Sequence, residues 1–269
     1  FGMKWRARQG DIHEQAADVA DGHVVDISIT DRLQGLLLGT AVGDAIGLPR
    51  EGLSRRRAVR LFGSPPLEHR LFFGRGMFSD DTEHACLTGE ALLAGWNDPK
   101  RFARSLAWRL RGWFLALPPA TGLATARSCI KLLLGWPPGR SGVFSAGNGP
   151  AMRAPIIGAL LADRPDLLRE MVRESTRLTH TDPKAEEGAW VIAMAAACAV
   201  KRAPADIDVD EFFETILPSL QGAHLKESLV LANDCLRRQT SASEFAETMG
   251  FGNGVSGYIN HTVPAVIFC

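Results

Sequence analysis

An all-α fold in a single domain is predicted by two features of the sequence. From Asp31 onward, apolar residues recur at helical spacing almost everywhere, whereas runs that alternate polar and apolar residues are nearly absent. The composition, 46% hydrophobic and 22% charged over 269 residues, is that of a globular chain long enough to bury a large core. Because no repeat or linker divides the helical part, we expect an N-terminal extension over 1–30 and one domain over 31–269.

The first predicted helix has Asp31 as its N-cap and ends before Pro49. Four glycines recur in it at intervals of four residues and therefore share one face: Gly35, Gly39, Gly43 and Gly47. Because glycine costs helix stability, we expect another helix to pack closely on this face or, as the alternative, a ligand to approach the backbone there.

Later helices are predicted from their apolar periodicity and their end signals. One helix spans 81–94, and the next begins at Asp98-Pro99, with proline in the first helical position, and ends at Pro118-Pro119. The segment 183–202 is apolar almost all round, as a central buried helix would be. The remaining predicted helices lie at about 121–134, 151–163, 166–178, 208–217, 223–238 and 243–249.

Charge and cysteine content argue against several classes of protein. Thirty basic residues balance 30 acidic ones, so the chain has no net charge to attract nucleic acid or an anionic membrane surface. Its five cysteines lie far apart and form neither a disulfide framework nor a Cys-x-x-Cys zinc site, which favours a reducing compartment. The most apolar segment, Gly188 to Val200, is shorter than the roughly 20 residues of a membrane helix, and no signal-peptide pattern is present. We therefore expect a cytoplasmic protein without nucleic-acid or membrane partners.

Two acidic motifs could take part in chemistry. Ser79-Asp80-Asp81-Thr82 places hard oxygen donors at a helix entrance, and such donors suit Mg²⁺, Mn²⁺ or Ca²⁺ rather than zinc. The alternative is a capping box, with Asp80 as the N-cap and Glu83 three residues later. Asp44 lies in an apolar run and needs a compensating partner, which is either a helix N-terminus or a residue that binds metal.

Three loop segments are further candidates for ligand binding. Gly147-Asn148-Gly149 leads into a helix that carries Met152, where free backbone N–H groups favour an anion; an ordinary helix-entry turn is the alternative. His180 precedes the predicted central helix and is either structural or functional. Tyr258 ends a second glycine-rich loop and could stack on a base or belong to the core.

Taken in order, four motifs resemble those of the ADP-ribosylglycohydrolase family. They are Gly39-x-x-x-Gly43-Asp44-Ala45-x-Gly47 with Glu51, Ser79-Asp80-Asp81-Thr82, Gly147-Asn148-Gly149-x-x-Met152-Arg153 and Thr179-His180-Thr181-Asp182-Pro183. The resemblance runs from about Asp31 to the last residue. It implies an orthogonal helical bundle with two Mg²⁺ or Mn²⁺ ions that removes ADP-ribose from modified protein side chains, with ADP-ribosyl-arginine as the expected linkage.

The resemblance also implies roles for individual residues. Ser79, Asp80 and Asp81 would bind metal, Asp80 and Asp81 would be catalytic, and Glu51 would position the attacking water or the substrate. ADP-ribose would be held by Asp44, Gly147, Asn148, Gly149, Met152, His180 and Tyr258. A pair of cations can orient ribose hydroxyls, lower the pKa of a bound water and stabilise charge at the anomeric carbon. An ADP-ribosylated protein and free ADP-ribose are thus the expected partners.

One part of the family pattern has no counterpart in this sequence. Family members supply further metal ligands from an Asp-x-Asp-Thr/Ser motif downstream of the loop that contains Tyr258, and no such motif precedes Cys269. We therefore expect the C-terminal part of the family domain to be missing and the metal site to be incomplete. The missing motif favours one rival function, a non-catalytic ADP-ribose-binding or structural member of the same fold. A metal-dependent phosphoesterase is a further alternative.

Overall fold

The all-α prediction is confirmed by a computed structural model, which describes residues 27–64, 66–71, 74–118, 121–203 and 206–269. Most of the predicted N-terminal extension, 1–26, lies outside the described residues. Thirteen α-helices form the described part: α1 Ile29–Gly47, α2 Arg55–Phe62, α3 Asp80–Ala94, α4 Pro99–Leu115, α5 Leu123–Leu133, α6 Pro138–Ser141, α7 Gly149–Leu160, α8 Pro165–Arg177, α9 Pro183–Lys201, α10 Val209–Ile216, α11 Ala223–Arg237, α12 Ala242–Thr248 and α13 Ile259–Phe268.

Local capping signals set the start of several helices. α4 and α9 begin as predicted, because Asp98 and Asp182 accept hydrogen bonds from backbone N–H groups of the helix that each precedes. α1 begins three residues before the predicted position. Its N-cap is Ser28, whose hydroxyl accepts from the N–H of Asp31 at 3.2 Å, so the prediction of Asp31 as N-cap is wrong.

The centre of the fold is the pair α7 and α9, which pack more extensively than any other two helices of the described chain. Gly158 of α7 lies directly against the backbone of Ala193 in α9, and a side chain there would collide with the Ala193 carbonyl. α9 is buried along most of its length, as predicted for a central helix. α3 packs on α7, and α13 packs on α9. The start of α3 and the loop before α13, which belong to the candidate site, therefore both lie next to this central pair.

The glycine face of α1 is not closely packed in the described structure. A Cβ atom built on Gly35, Gly39, Gly43 or Gly47 finds no described atom within 4 Å. The neighbouring Leu38 and Val42 are 65% and 50% exposed. α1 instead contacts α3 with its opposite side, where Ala45 is buried. The expectation of tight packing on the glycine face is therefore wrong for the described residues.

Three helices were not predicted from the sequence: α2, α6 and α13. α13 follows a glycine-rich loop and contains Pro264, and both features hid its helical pattern in the sequence. In the structure, Ile259 and Val263 of this helix are fully buried.

None of the described helices combines the length and hydropathy that crossing a membrane requires.

Candidate functional site

Asp44 joins α1 to the beginning of α3. Its carboxylate accepts from the N–H and the hydroxyl of Ser79, at 2.7 and 2.8 Å, and from the N–H and the hydroxyl of Thr82, at 3.2 and 2.6 Å. The partner of Asp44 is thus the N-terminus of α3. Because Ser79 is also a predicted metal ligand, the alternative, in which Asp44 supports a metal site, stays a prediction. Both oxygens are used inside the protein, and contact of Asp44 with substrate stays a prediction.

The predicted capping box at the start of α3 is wrong. Asp80 is the first helical residue rather than the N-cap, and Ser79, which takes the N-cap position, makes no side-chain capping bond. Glu83 turns away from the helix start and accepts from the indole N–H of Trp113 at 2.6 Å. Because Asp44 supplies the cap from another helix, Asp80 and Asp81 keep their carboxylates free of that task.

The two aspartates of α3 carry strongly shifted pKa values. Burial, followed by repulsion from Asp81, raises the pKa of Asp80 to about 7, with Glu51 adding to the effect. Burial also raises the pKa of Asp81 to about 6, with repulsion from Asp44 and Glu51 as the further causes. The fold therefore brings the three predicted catalytic carboxylates, Glu51, Asp80 and Asp81, into one electrostatically coupled group, which we call the acidic cluster.

The loop over 147–149 is held by the second glycine-rich loop. The N–H of Asn148 donates to the carbonyl of Gly257 at 3.0 Å, and the N–H of Ile259 donates to the carbonyl of Ala146 at 2.9 Å. Gly147 and Tyr258 face each other in a short antiparallel bridge. Two of the predicted ligand-binding segments, far apart in sequence, are thus adjacent in the fold.

His180 packs against the other side of the same loop. Its buried ring lies so near the loop that a Cβ atom on Gly147 would be 3.1 Å from Nε2 and one on Gly149 would be 2.9 Å from Cε1. The segment is fixed by hydrogen bonds that Val143 exchanges with the backbone on either side of His180, at 3.1 and 2.9 Å. A side chain at position 149 would therefore force the ring to shift, and one at position 147 would crowd it.

Few backbone donors of this loop remain for an anion. The N–H groups of Gly147, Asn148, Ala151 and Met152 donate within the protein. The N–H of Gly149 has no acceptor among the described residues. Gly149 also begins α7, two residues earlier than predicted, so its N–H belongs to the positive end of the helix dipole.

Tyr258 and Met152 are partly buried beside these loops. The Tyr258 hydroxyl accepts from the amide of Asn260 at 3.3 Å, and the ammonium of Lys184 lies 5.9 Å from the centre of its ring. The tyrosine is therefore packed within the loop region and keeps part of its ring accessible. Its contact with a base stays a prediction, as does the contact of Met152 with substrate.

The sequence did not predict a buried polar cluster beneath the loop. Arg153 of α7 is fully buried, and its guanidinium donates to Ser175, to Thr179 and to Nδ1 of His84, the last at 3.3 Å. Burial lowers the pKa of Arg153 to about 10, which interactions with Cys129 and Asp80 oppose. The only signal in the sequence was an arginine in an otherwise apolar first turn of α7.

The donor set around Asp80 and Asp81 is suited to a hard divalent cation. The negative charges of neighbouring carboxylates raise the pKa values of Asp80 and Asp81, and a bound cation would offset this repulsion. Ser79 adds a hydroxyl oxygen to these carboxylate donors. The described residues, however, contain no group of three or more His, Cys, Asp or Glu side chains placed to bind a metal ion. These oxygen donors are thus at most part of a coordination shell.

Sequence comparison finds several relatives. An uncharacterised protein of Archaeoglobus fulgidus is 32% identical over 237 residues, which cover 84% of this chain and 72% of that protein. The uncharacterised protein YegU of Escherichia coli is 34% identical over 184 residues, 64% of this chain and 54% of that protein. An ADP-ribosyl-[dinitrogen reductase] glycohydrolase of Rhodospirillum rubrum is 28% identical over 165 residues, 58% of this chain and 53% of that protein. The chain thus matches just over half the length of the latter two.

Comparison with solved structures and with protein families agrees with this result. A solved chain of an ADP-ribosylglycohydrolase-related protein complex matches with a TM-score of 0.60 and 27% identity, covering 89% of this chain and 75% of that one. The family model for ADP-ribosylglycohydrolase matches residues 26–269. Since this match includes the acidic cluster and both glycine-rich loops, the chain belongs to the ADP-ribosylglycohydrolase family.

Proposed function

We propose that this protein is a metal-dependent hydrolase that releases ADP-ribose from modified protein side chains, with ADP-ribosyl-arginine as the linkage. The observation that carries the proposal is the acidic cluster of Glu51, Asp80 and Asp81. Glu51 adds to the repulsion that raises the pKa values of Asp80 and Asp81 at the start of α3, and a positive charge would relieve that repulsion. Membership of a glycohydrolase family supports the hydrolytic reaction.

Ser79, Asp80 and Asp81 would supply part of the ligands for two Mg²⁺ or Mn²⁺ ions. When bound, such a pair supplies positive charge that orients ribose hydroxyls and makes a water more acidic. The protein's own contribution is to fix the carboxylates in place: Asp44 anchors the first turn of α3, so that the side chains of Asp80 and Asp81 are presented on a rigid helix. Glu51 follows α1, is exposed, and would orient the attacking water or the substrate.

The two loops would bind the ADP-ribose portion of the substrate. The N–H of Gly149 is available to a phosphate oxygen, and His180 lies next to it. Asn148 is exposed at the tip of the loop, while Met152 and Tyr258 would contact the nucleoside. Neutral donors of this kind allow a chain with no net charge to bind an anionic ligand locally.

The expected partners are an ADP-ribosylated protein and free ADP-ribose. The balance of acidic and basic residues supports the absence of nucleic-acid and membrane partners. All five cysteines are free in the structure, which supports a cytoplasmic location.

The test is the release of ADP-ribose from an ADP-ribosylated-arginine protein, with Mg²⁺ or Mn²⁺ and then with excess chelator. We expect chelator-sensitive release that Asp81→Asn abolishes. The matched control is Asp163→Asn, which alters an exposed aspartate paired with Lys201 and should leave release unchanged. Release that survives Asp81→Asn would contradict the proposal.

A second candidate function is ADP-ribose binding without catalysis. It is favoured by the finding that the described residues do not form a complete metal-binding group. The same preparation distinguishes the two functions: ADP-ribose that binds, as measured by calorimetry, without any release from the modified protein would favour the non-catalytic alternative.

A further inference from the structure

A connected set of buried groups runs from Arg153 through Thr179 to His180, beneath the loop over 147–149. The guanidinium Nη2 donates to the carbonyl of Ser175 at 3.0 Å and to the hydroxyl of Thr179 at 2.7 Å. Its Nε donates to the hydroxyl of Ser175 at 3.1 Å, and its Nη1 donates to Nδ1 of His84 at 3.3 Å, so three residues hold the guanidinium. The Thr179 hydroxyl oxygen lies 2.9 Å from Nδ1 of His180.

The hydrogen-bonding capacities of these groups restrict which ring nitrogen of His180 carries the proton. A guanidinium can only donate, so the Thr179 hydroxyl must accept from Arg153. The hydroxyl also has one proton to donate, and the acceptor for it among the described residues is Nδ1 of His180. If Nδ1 carried the ring proton instead, the buried hydroxyl proton of Thr179 would have no partner, which is costly.

We propose that Arg153 and Thr179 are positioning residues that hold His180 as the Nε2–H tautomer, so that the ring offers an uncharged donor to a phosphate oxygen of ADP-ribose. The identity of the ligand rests on the proposed function, whereas the state of the ring does not. A neutral imidazole has one donor and one acceptor nitrogen, so fixing Nδ1 as the acceptor makes Nε2 the donor.

The position of Nε2 agrees with this role. Nε2 lies on the loop side of the ring, next to Gly147, while Nδ1 faces Thr179 in the interior. Within 147–149, the N–H of Gly149 is the one backbone amide that has no acceptor among the described residues. A donor from His180 would therefore add to the one free backbone N–H that this loop can offer to a diphosphate.

The surroundings also keep the ring uncharged. Burial and the nearby charge of Arg153 lower the pKa of His180 to about 3, so the ring is neutral at physiological pH. Arg153 thus has two effects on the same ring: it disfavours the doubly protonated form by its charge, and it sets the direction of the Thr179 hydroxyl by its hydrogen bond.

The tautomer can be measured directly by long-range nitrogen–proton NMR on protein labelled with ¹⁵N-histidine. The His180 signals are assigned as those missing from His180→Gln. We expect a protonated Nε2 and an unprotonated Nδ1 in the wild type and in Thr179→Ser, which keeps the hydroxyl. Thr179→Val removes it and should give a mixture of tautomers.

Thr176→Val is the matched control. Thr176 is also buried at the end of α8, but its hydroxyl has no hydrogen-bond partner in the described structure. Its replacement should leave the Nε2–H tautomer of His180 unchanged. In calorimetric titrations with ADP-ribose, we expect Thr179→Val to weaken binding about tenfold and Thr176→Val to change it less than about twofold.

The outcomes separate this inference from the proposed function. A wild-type ring protonated at Nδ1, or Thr179→Val with an unchanged tautomer, would overturn the positioning role. If the valine variant does not fold, the wild-type and serine spectra decide. A wild type that shows the Nε2–H tautomer but does not bind ADP-ribose would overturn the proposed function while supporting the positioning role.

Discussion

Replacement of Asp81 by asparagine is expected to stabilise the metal-free protein while it removes the proposed hydrolase activity. Asp81 lies in the first turn of α3, where the helix dipole favours a negative charge. Burial and repulsion from Asp44 and Glu51 nevertheless raise its pKa. Asparagine has nearly the same shape and no charge, so it removes both penalties. Asp81 thus weakens the fold although it occupies a helix position that favours an anion. We take this cost as support for cation binding by Asp81.

The magnitude follows from the shift in pKa. A rise from 3.8 to about 6 corresponds to about 3 kcal/mol of stability lost when the group is ionised. The folded state binds the proton more tightly than the unfolded state, so the loss begins as the pH rises above about 3.8 and is complete above about 6. Because the carboxylate is partly exposed to solvent, we expect a gain of about 1–2 kcal/mol for Asp81→Asn near pH 8.

Urea unfolding in the presence of chelator measures this gain. The midpoint should rise near pH 8 with an unchanged slope, and the difference from the wild type should shrink toward pH 4, where the wild-type carboxyl is protonated in the folded state. Asp163→Asn, at an exposed ion pair, should change the free energy of unfolding by less than about 0.5 kcal/mol at either pH. A destabilised Asp81→Asn protein, or an equal gain at both pH values, would refute the electrostatic argument.

Three further substitutions test the packing of the site. Asp44→Ala leaves the buried donors at the start of α3 without an acceptor and should lower the free energy of unfolding by about 2–4 kcal/mol in urea titrations; a loss below 1 kcal/mol would contradict the capping role. Gly149→Ala should collide with His180 and weaken ADP-ribose binding, whereas Gly139→Ala, with open space around it, should not; equal affinities would show that the loop is not packed as described. Gly39→Ala in α1 should raise stability by about 0.5–1 kcal/mol, because nothing described lies near it; destabilisation would show that this face is covered.

The helices that the sequence predicted best are those with signals inside the element itself. Asp98-Pro99 and Asp182-Pro183 carry a cap and a proline side by side, and α4 and α9 begin there. The glycine face of α1 was misinterpreted because a period of four shows which side lacks side chains, but not what meets that side. α13 was missed because its burial depends on contact with α9 and α11, which no local pattern records.

The candidate site was predicted as an ordered set of motifs, but not as a structure. Asp44 accepts hydrogen bonds from Ser79 and Thr82, which are 35 and 38 residues away in the sequence, so only the folded chain could show that its partner is the N-terminus of α3. The same applies to the bridge between Gly147 and Tyr258. The buried cluster around Arg153 had the weakest signal, because a polar residue in an apolar helix shows that a partner is needed without showing which one.

The position of the buried guanidinium of Arg153 relative to the acidic cluster explains how the core tolerates its charge. The guanidinium donates only to neutral groups among the described residues, yet the charge of Asp80 is close enough to oppose the fall in its pKa. Asp80 is in turn destabilised by burial and by Asp81. A buried charge with no direct counter-ion is expensive, so its position is specified by every hydrogen bond that it makes. Those bonds go to Ser175, His84 and Thr179, and Thr179 in turn contacts the ring of His180. Among the described residues, shifted pKa values thus link Arg153 to two parts of the candidate site: the carboxylates at the start of α3 and the histidine beneath the glycine loop.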